Sequence, residues 1–415
     1  MLLCDGQERN ILNTISIIGA GASGVICALK ASENPNNFIY LFEKNPRVLK
    51  KILSTGNGKC NLSNDLISIS KYNTDNRNQL TNYFSEFSNT DTINFFKELG
   101  LYTYKDTNGR IYPRSNQASS VVDILRLALN KNNICILTDH TVTDIKKNDN
   151  LFSIKTNNGI YNSDYVVITC GGPAAPVLGG TLTGISLLSN MGHNIITPRP
   201  SLVQIKTDGT FTRSVKGIKT IVKINIYENE LLLNSIIDEL LFTDYGVSGP
   251  AALNASQNNH FDSKKYASYM EIDFAHEYTH DELTSIIYHL INSTEICENL
   301  LTGFINKRLG QMLIKNIGID LSMPTSELSN ATVDKLVKTI KCFKLKITGT
   351  SGFENAQVVS GGAVICEFDN NLQSRIVSNL FAAGEVLNVD GICGGYNLQW
   401  AWTSGMIVGR YLKNA

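Results

Sequence analysis

Thr14-Ile-Ser-Ile-Ile-Gly-Ala-Gly-Ala-Ser-Gly24 is the stretch that decides the fold. The apolar run Thr14 to Ile18 stops at Gly19, and Val25 to Ala31 continues with helical spacing. A second apolar run, Phe38-Ile-Tyr-Leu-Phe42, ends at Glu43. One helix between two buried strands makes those strands parallel. Gly19, Gly21 and Gly24 stand in G-x-G-x-x-G spacing. The first glycine permits a tight turn, the second lets a pyrophosphate approach the backbone, and the third lets helix and strand pack closely. Ala22 and Ser23 open the helix, whose N-terminal N–H groups are free to receive phosphate. Glu43 follows about 20 residues on, where a carboxylate accepts the hydroxyls of an adenosine ribose, with Lys44 beside it. These residues predict a dinucleotide cradle, and the spacing alone does not separate NAD from FAD.

Outward from this unit the pattern continues. Ile134 to Leu137 reads as a strand, Phe152 to Thr156 and Gly159 to Asn162 as a hairpin, and Tyr165 to Thr169 as a buried strand running into Cys170-Gly171-Gly172. From Ile195 to Ala275 short alternating strands dominate, among them Ile218 to Tyr227 and Tyr266 to Phe274. From Asp281 to Lys341 the spacing is helical. At Val358 the first style returns, with Gly361-Gly362, the strand Leu380 to Ala383, and Gly384-Glu385. The expected architecture is α/β: a discontinuous Rossmann-like domain from residues 1–193 and 347–415, around an insertion that is β-rich and barrel-like over 194–278 and mainly helical over 279–346.

The 415 residues are 42% hydrophobic and 18% charged, a globular balance. Lys+Arg and Asp+Glu both number 37, which excludes a global electrostatic footprint for nucleic acid. Basic stretches are local. Arg199 to Lys223 has Asp208 as its one acidic residue, and Lys335, Lys338 and Lys341 share a helix face ahead of Lys344 and Lys346. They read either as a solvated face or as a contact to an RNA backbone. Nine cysteines, an odd number with no C-x-x-C pair, indicate a reduced protein without a metal centre. Ile11 to Leu29 is uncharged and long enough to mimic a membrane span. However, Asp5 and Glu8 offset Arg9 ahead of it, and three glycines interrupt it. The expectation is a cytoplasmic protein with no membrane partner.

Leu380-Phe-Ala-Ala-Gly-Glu385 resembles the late strand-plus-carboxylate motif of two-dinucleotide-binding flavoproteins, and Cys170-Gly-Gly-Pro173 resembles their middle motif. Together with the first turn they imply FAD. Four longer blocks carry a narrower likeness. They are Lys51-Ile-Leu-Ser-Thr-Gly-Asn-Gly-Lys-Cys-Asn-Leu-Ser-Asn64, Gly109-Arg-Ile-Tyr-Pro113 with Ala118 to Val122, Leu241 to Pro250, and Gly384 to Trp402. On these the chain resembles the BaiN-type NAD(P)/FAD-dependent oxidoreductases, whose members include reductases assigned to steroid and ribosomal RNA substrates.

The resemblance implies flavin contacts from Lys51, Ser54, Gly56, Gly58, Lys59, Cys60 and Asn61, from Gly171 and Gly172, and from Gly384 with Glu385 on the ribityl chain. It also implies contacts from Gly394, Gly395, Tyr396, Asn397 and Leu398, where a helix N-terminus would face the N1–C2=O edge. Four positions depart from the family pattern: Asn57 for glycine, Lys59 for arginine, Asp244 for histidine and Asn388 for aspartate. Cys60, Cys393 and Tyr396 are the candidate proton donors, and His193 reads as structural. The implied reaction delivers hydride from flavin N5 to an activated C=C bond, with NAD(P)H as a transient electron donor because no second G-x-G-x-x-G follows a strand. The acceptor is an unsaturated small molecule or the uracil C5=C6 bond of ribosomal RNA. A non-catalytic FAD-binding redox sensor is the remaining alternative.

Overall fold

A computed structural model describes residues 13–257, 261 and 267–415. Asp5, Glu8, Arg9 and Tyr266, on which parts of the sequence reading rest, lie outside the described residues. The chain forms two compact units, Met1–Pro200 with Gln357–Ala415, and Ser201–Ala356.

The first unit is built on β1 (Asn13–Ile18), α1 (Ala22–Ala31) and β2 (Asn37–Phe42). Every residue of β2 is buried, as expected of a strand covered on both faces. A five-stranded sheet runs in the order Leu380–Ala382, Tyr165–Ile168, β1, β2, Ile134–Leu137, and all its pairings are parallel. This is the Rossmann-like arrangement anticipated from the glycine turn. A separate antiparallel sheet holds Val142–Asn148, Leu151–Thr156 and Gly159–Ser163, the last two forming the expected hairpin.

A long helix, Tyr396–Lys413, packs against α1. Close approach is possible because the contact is made of glycine. A Cβ at Gly405 would stand 2.4 Å from the Ser23 carbonyl oxygen, and one at Gly409 would stand 2.9 Å from that of Cys27. Four-residue spacing puts both glycines on one face. Hydrogen bonds fix the helix in depth. Trp400 Nε1 donates to the Gly384 carbonyl at 3.1 Å, Trp402 Nε1 donates to that of Leu62 at 2.9 Å, and the Gly384 N–H donates to Ser404 Oγ at 2.9 Å.

The second unit holds a closed barrel. Its strands run in the order Ile205–Thr207, Gly246–Ser248, Leu231–Phe242, Lys219–Glu228, Ser268–Asp273, Phe343–Thr350, and the last pairs with the first. Val222, Ile224 and Ile226 point inward at period two and are fully buried. Helices His280–Ser293, Lys307–Asn316 and Asn330–Lys341 share this unit's apolar core.

The lysine row on the last helix is engaged within the chain. Lys335 Nζ donates to the Ile317 carbonyl at 3.0 Å, Lys338 pairs with Asp334 at 2.7 Å, and Lys341 pairs with Asp273 at 2.7 Å. Asp244, at the family's histidine position, is an exposed carboxylate held by Lys216 at 2.6 Å. Among the described residues no helix is long and apolar enough to cross a membrane. Nor does any group of three or more His, Cys, Asp or Glu side chains converge as metal ligands among them.

Candidate functional site

A cleft in the first unit opens over the C-terminal ends of β1 and β2, with about 1340 Å³ of atom-free space, part of it open to solvent. The three glycines of the first turn play separable parts. A Cβ at Gly19, whose φ is +109°, would stand 2.7 Å from the Thr169 carbonyl oxygen. A Cβ at Gly24 would stand 2.0 Å from the Gly19 carbonyl oxygen and 2.6 Å from Thr169 Oγ1. Both glycines are therefore demanded by the fold. A Cβ at Gly21 would meet nothing within 4 Å, although Gly21 lines the cleft. The chain's own packing does not require that glycine, and the space above it suits a ligand that must touch backbone. Gly21 is also the N-cap of α1, offers no side-chain cap, and is followed by a first turn without an acidic residue. An uncapped helix start facing a cleft receives anions.

Glu43, at the end of β2, lines the same cleft. Its Oε2 accepts from the Ala20 N–H at 3.2 Å, and its Oε1 accepts from the Asn45 N–H at 2.9 Å and Asn45 Nδ2 at 2.7 Å. The carboxylate is thereby fixed in place, with acceptor capacity left on Oε2. Glu385 ties three distant segments together. Its Oε2 accepts from Lys51 Nζ at 3.0 Å and the Gly172 N–H at 3.2 Å, and its Oε1 accepts from the Val359 N–H at 3.0 Å. Gly171, with φ +67°, leaves only 3.3 Å between a hypothetical Cβ and Glu385 Oε2. Lys44, Lys51, Asn397 and Leu398 also line the cleft.

The glycine-rich loop is less uniform than its sequence suggests. Gly56, Asn57 and Gly58 all take left-handed backbone, with φ of 55°, 54° and 82°. Asparagine is the residue that best replaces glycine there, which accounts for Asn57. Ser54, Gly56, Gly58 and Lys59 are exposed and stand outside the cleft walls. Cys60 also has positive φ (58°), and this turns its side chain into the core, where it is 0% exposed. Burial pushes its thiol up to about 11. Cys60 is thus a buried hydrophobe in this structure, not a residue facing the cleft. Its neighbour Asn61 leaves Oδ1 buried without a hydrogen-bond partner among the described residues. That atom lies 2.9 Å from where a Cβ on Gly395 would stand.

Tyr396 is corrected as well. It is 1% exposed, its hydroxyl donates to the Leu66 carbonyl at 2.7 Å, and Tyr72 donates to its own carbonyl at 2.8 Å. The phenol anchors the start of the long helix. Gly394 and Gly395, with φ of 116° and 98°, form the turn ahead of it, and Asn397 pins that turn by accepting from the Gly391 N–H at 2.8 Å. Cys393 is partly exposed, its Sγ 4.0 Å from Gln357 Oε1. Asn388 Nδ2 donates to Asp75 Oδ1 at 2.8 Å, so a neutral amide rather than the family's aspartate faces this carboxylate. His193 is structural: it stacks on Phe368 at 4.6 Å and bonds Glu367 and Ser374, each at 2.9 Å. Burial holds its imidazole below the ordinary histidine range.

Three stretches of cleft wall carry no motif and escape a reading of the sequence: His140 to Val142, Leu178 to Thr181, and Gln357 with Val358. The one available signal is position, since His140 to Val142 follow directly on the strand ending at Leu137.

Taken together, the open space at Gly21, the uncapped helix start and the fixed carboxylate of Glu43 fit a bound dinucleotide. Comparison with known proteins agrees. The model of the HI0933-like protein Rossmann domain matches residues 13–411. The 3-dehydro-bile acid delta(4,6)-reductase of Clostridium scindens is 34% identical over 406 residues, 96% of this chain and 98% of that protein. The ribosomal RNA dihydrouridine synthases of Haemophilus influenzae and Escherichia coli are 28% and 26% identical, each across 94% of this chain and 95% of theirs. With nearly its whole length matched, the chain belongs to the HI0933-like Rossmann family, in agreement with the BaiN-type resemblance of its glycine loops.

Proposed function

We propose that the protein is an FAD-dependent reductase of an activated C=C bond in a small molecule, with NAD(P)H as its electron donor. The observation that carries this reading is the glycine turn, closed by protein at Gly19 and Gly24 and left open at Gly21. Bound there, FAD supplies a hydride at N5. The chain's residues supply the rest. With FAD bound, the α1 N-terminus would receive the pyrophosphate, Glu43 would accept from the adenosine ribose, Glu385 would accept from the ribityl hydroxyls, and the start of the long helix after Gly394 and Gly395 would meet the ring. The relative named as a bile-acid reductase favours a conjugated enone as acceptor. The internal partners of Lys335, Lys338 and Lys341 point the same way, because a phosphate contact would have to displace them.

The second reading, reduction of uridine in ribosomal RNA, is favoured by the two relatives named as dihydrouridine synthases. One experiment separates the two. The FAD-loaded protein is incubated anaerobically with NADH or NADPH and either a 3-oxo-4,6-diene steroid or undermodified ribosomal RNA. A steroid product two mass units heavier, with RNA unchanged, supports the first reading. Dihydrouridine in the RNA with the steroid untouched replaces it by the second.

A further inference from the structure

We propose that Lys51 is a positioning residue for the cofactor, acting through Glu385 rather than on the cofactor itself, a proposal that rests on the FAD reading above. Both side chains line the cleft, and Lys51 Nζ stands 3.0 Å from Glu385 Oε2. The sheet shows which part of the cleft they occupy. Glu43 follows β2, Gly19 to Gly21 follow β1, Gly171 follows the strand Tyr165–Ile168, and Glu385 follows the strand Leu380–Ala382. These four strands are parallel neighbours, so the four turns stand side by side along one edge of the sheet. At about 4.8 Å per strand, Glu43 and Glu385 lie roughly 14 Å apart along that edge, with the glycine turn between them. A dinucleotide with its ribose at Glu43 and its pyrophosphate at Gly21 would carry its other half toward Gly171 and Glu385.

Glu385 has little freedom at that position. A carboxylate offers about four acceptor sites. Among the described residues three are filled: Oε2 takes Lys51 Nζ and the Gly172 N–H, and Oε1 takes the Val359 N–H. That leaves one, on Oε1, for a cofactor hydroxyl. The two backbone donors fix where the carboxylate sits. Lys51 completes Oε2, so that Oε1 is the oxygen left to the ligand, and its charge offsets a carboxylate that an incoming pyrophosphate would otherwise meet uncompensated. Lys51 is itself held. Beside it, Leu49 is 1% exposed and donates its N–H to the Ala20 carbonyl, inside the glycine turn, at 2.9 Å, while Ile52 is 2% exposed. Lys51 therefore reaches from backbone fastened to the glycine turn across to the carboxylate of the far half. The adjacent Lys50 is not available for this, since its Nζ donates to the Val177 carbonyl at 2.9 Å.

The test is fluorescence titration of FAD against apoprotein in the wild type, Lys51→Met, Lys51→Arg, Glu385→Gln and the double variant of Lys51→Met with Glu385→Gln. Lys51→Met should weaken binding about 10-fold, the lower end for a charge-assisted bond because the pair is partly exposed. Lys51→Arg keeps the charge and should stay within about threefold of wild type. In the Glu385→Gln background, Lys51→Met should change the affinity by less than about twofold, because its partner is already gone. Apoprotein melting temperatures of wild type and Lys51→Met should agree within about 4 °C, since a partly exposed pair adds little to folding. An equal loss in both backgrounds overturns the proposal, because Lys51 then acts on the cofactor directly. Unchanged affinity in Lys51→Met overturns it too, as does an arginine variant as weak as the methionine one. A larger fall in melting temperature also overturns it, in favour of a purely structural tie. All of these leave the FAD reading standing. A wild-type apoprotein that does not bind FAD overturns that reading and the proposal together.

Discussion

Replacing Gly21 and Gly24 separately by alanine should divide cofactor binding from folding. At Gly24 the new methyl would lie 2.0 Å from the Gly19 carbonyl oxygen and 2.6 Å from Thr169 Oγ1, so backbone must move. Overpacking of that kind costs about 1–3 kcal/mol, and here the obstacle is a carbonyl that cannot rotate away. At about 2–4 °C per kcal/mol for a unit of this size, Tm should drop by roughly 2–12 °C. At Gly21 the methyl meets nothing within 4 Å, and its φ of −82° suits alanine. Reduced unfolded-state entropy stabilises by about 0.4–1 kcal/mol and the poorer N-cap costs a similar amount, leaving Tm nearly unchanged. On the proposed reading, the same methyl would stand where the cofactor's phosphate meets the helix start. Loss of one charge-assisted hydrogen bond, about 1.5–3 kcal/mol, weakens FAD binding roughly 10- to 100-fold. Titration of FAD fluorescence against apoprotein, beside melting curves of both apo variants, gives the two readouts. Wild-type FAD affinity in Gly21→Ala, or a wild-type Tm in Gly24→Ala, refutes the reasoning.

Other outcomes follow from single groups. His193 is held below its ordinary pKa by burial, so the unfolded chain takes up a proton as pH falls below about 6.5 while the folded chain does not. Stability should therefore fall on acidification, by at most about 1.4 kcal/mol per pH unit for that proton, and urea melts of His193→Gln should show a flatter slope between about pH 6.5 and 5. Alkylation of the native protein at pH 8 followed by mass spectrometry should label the exposed Cys342 and Cys366 and spare Cys60, Cys27 and Cys297. Asn388→Asp sets a second carboxylate against Asp75 and should cost about 1–3 kcal/mol at neutral pH. Protonation should relieve that cost, so the Tm deficit should shrink below about pH 5, and a constant deficit would point elsewhere.

The parallel sheet was legible because buried strands and a glycine turn leave local marks, and Ile134 to Leu137 appears in the sequence with the bounds it has in the structure. The alternation of Val222, Ile224 and Ile226 marked a strand in the same way, but closure of the barrel was not local. It depends on Ile205–Thr207 meeting Phe343–Thr350, a pairing across some 140 residues that no short window contains. The site was legible as loops and not as side-chain directions. One positive φ, at Cys60, decides that a thiol points inward, and one hydrogen bond, to Leu66, retires the Tyr396 phenol. Gly405 and Gly409 form the surface on which α1 rests, a contact that helix propensity, in which glycine ranks low, does not reveal.

That last contact sets a timetable. The helix start that faces the cleft belongs to α1, which ends at Ala31, while the surface it rests on is encoded from Tyr396 onward, about 365 residues later. At roughly 5–20 residues per second, a ribosome needs about 20–70 s to cross that interval. Throughout it α1 is made but has nothing to lean on, and the edge strand Leu380–Ala382 is missing from the sheet. The barrel, encoded in between as one continuous stretch, can fold while it waits. A chain stalled before the long helix therefore carries its glycine turn without the surface on which α1 rests.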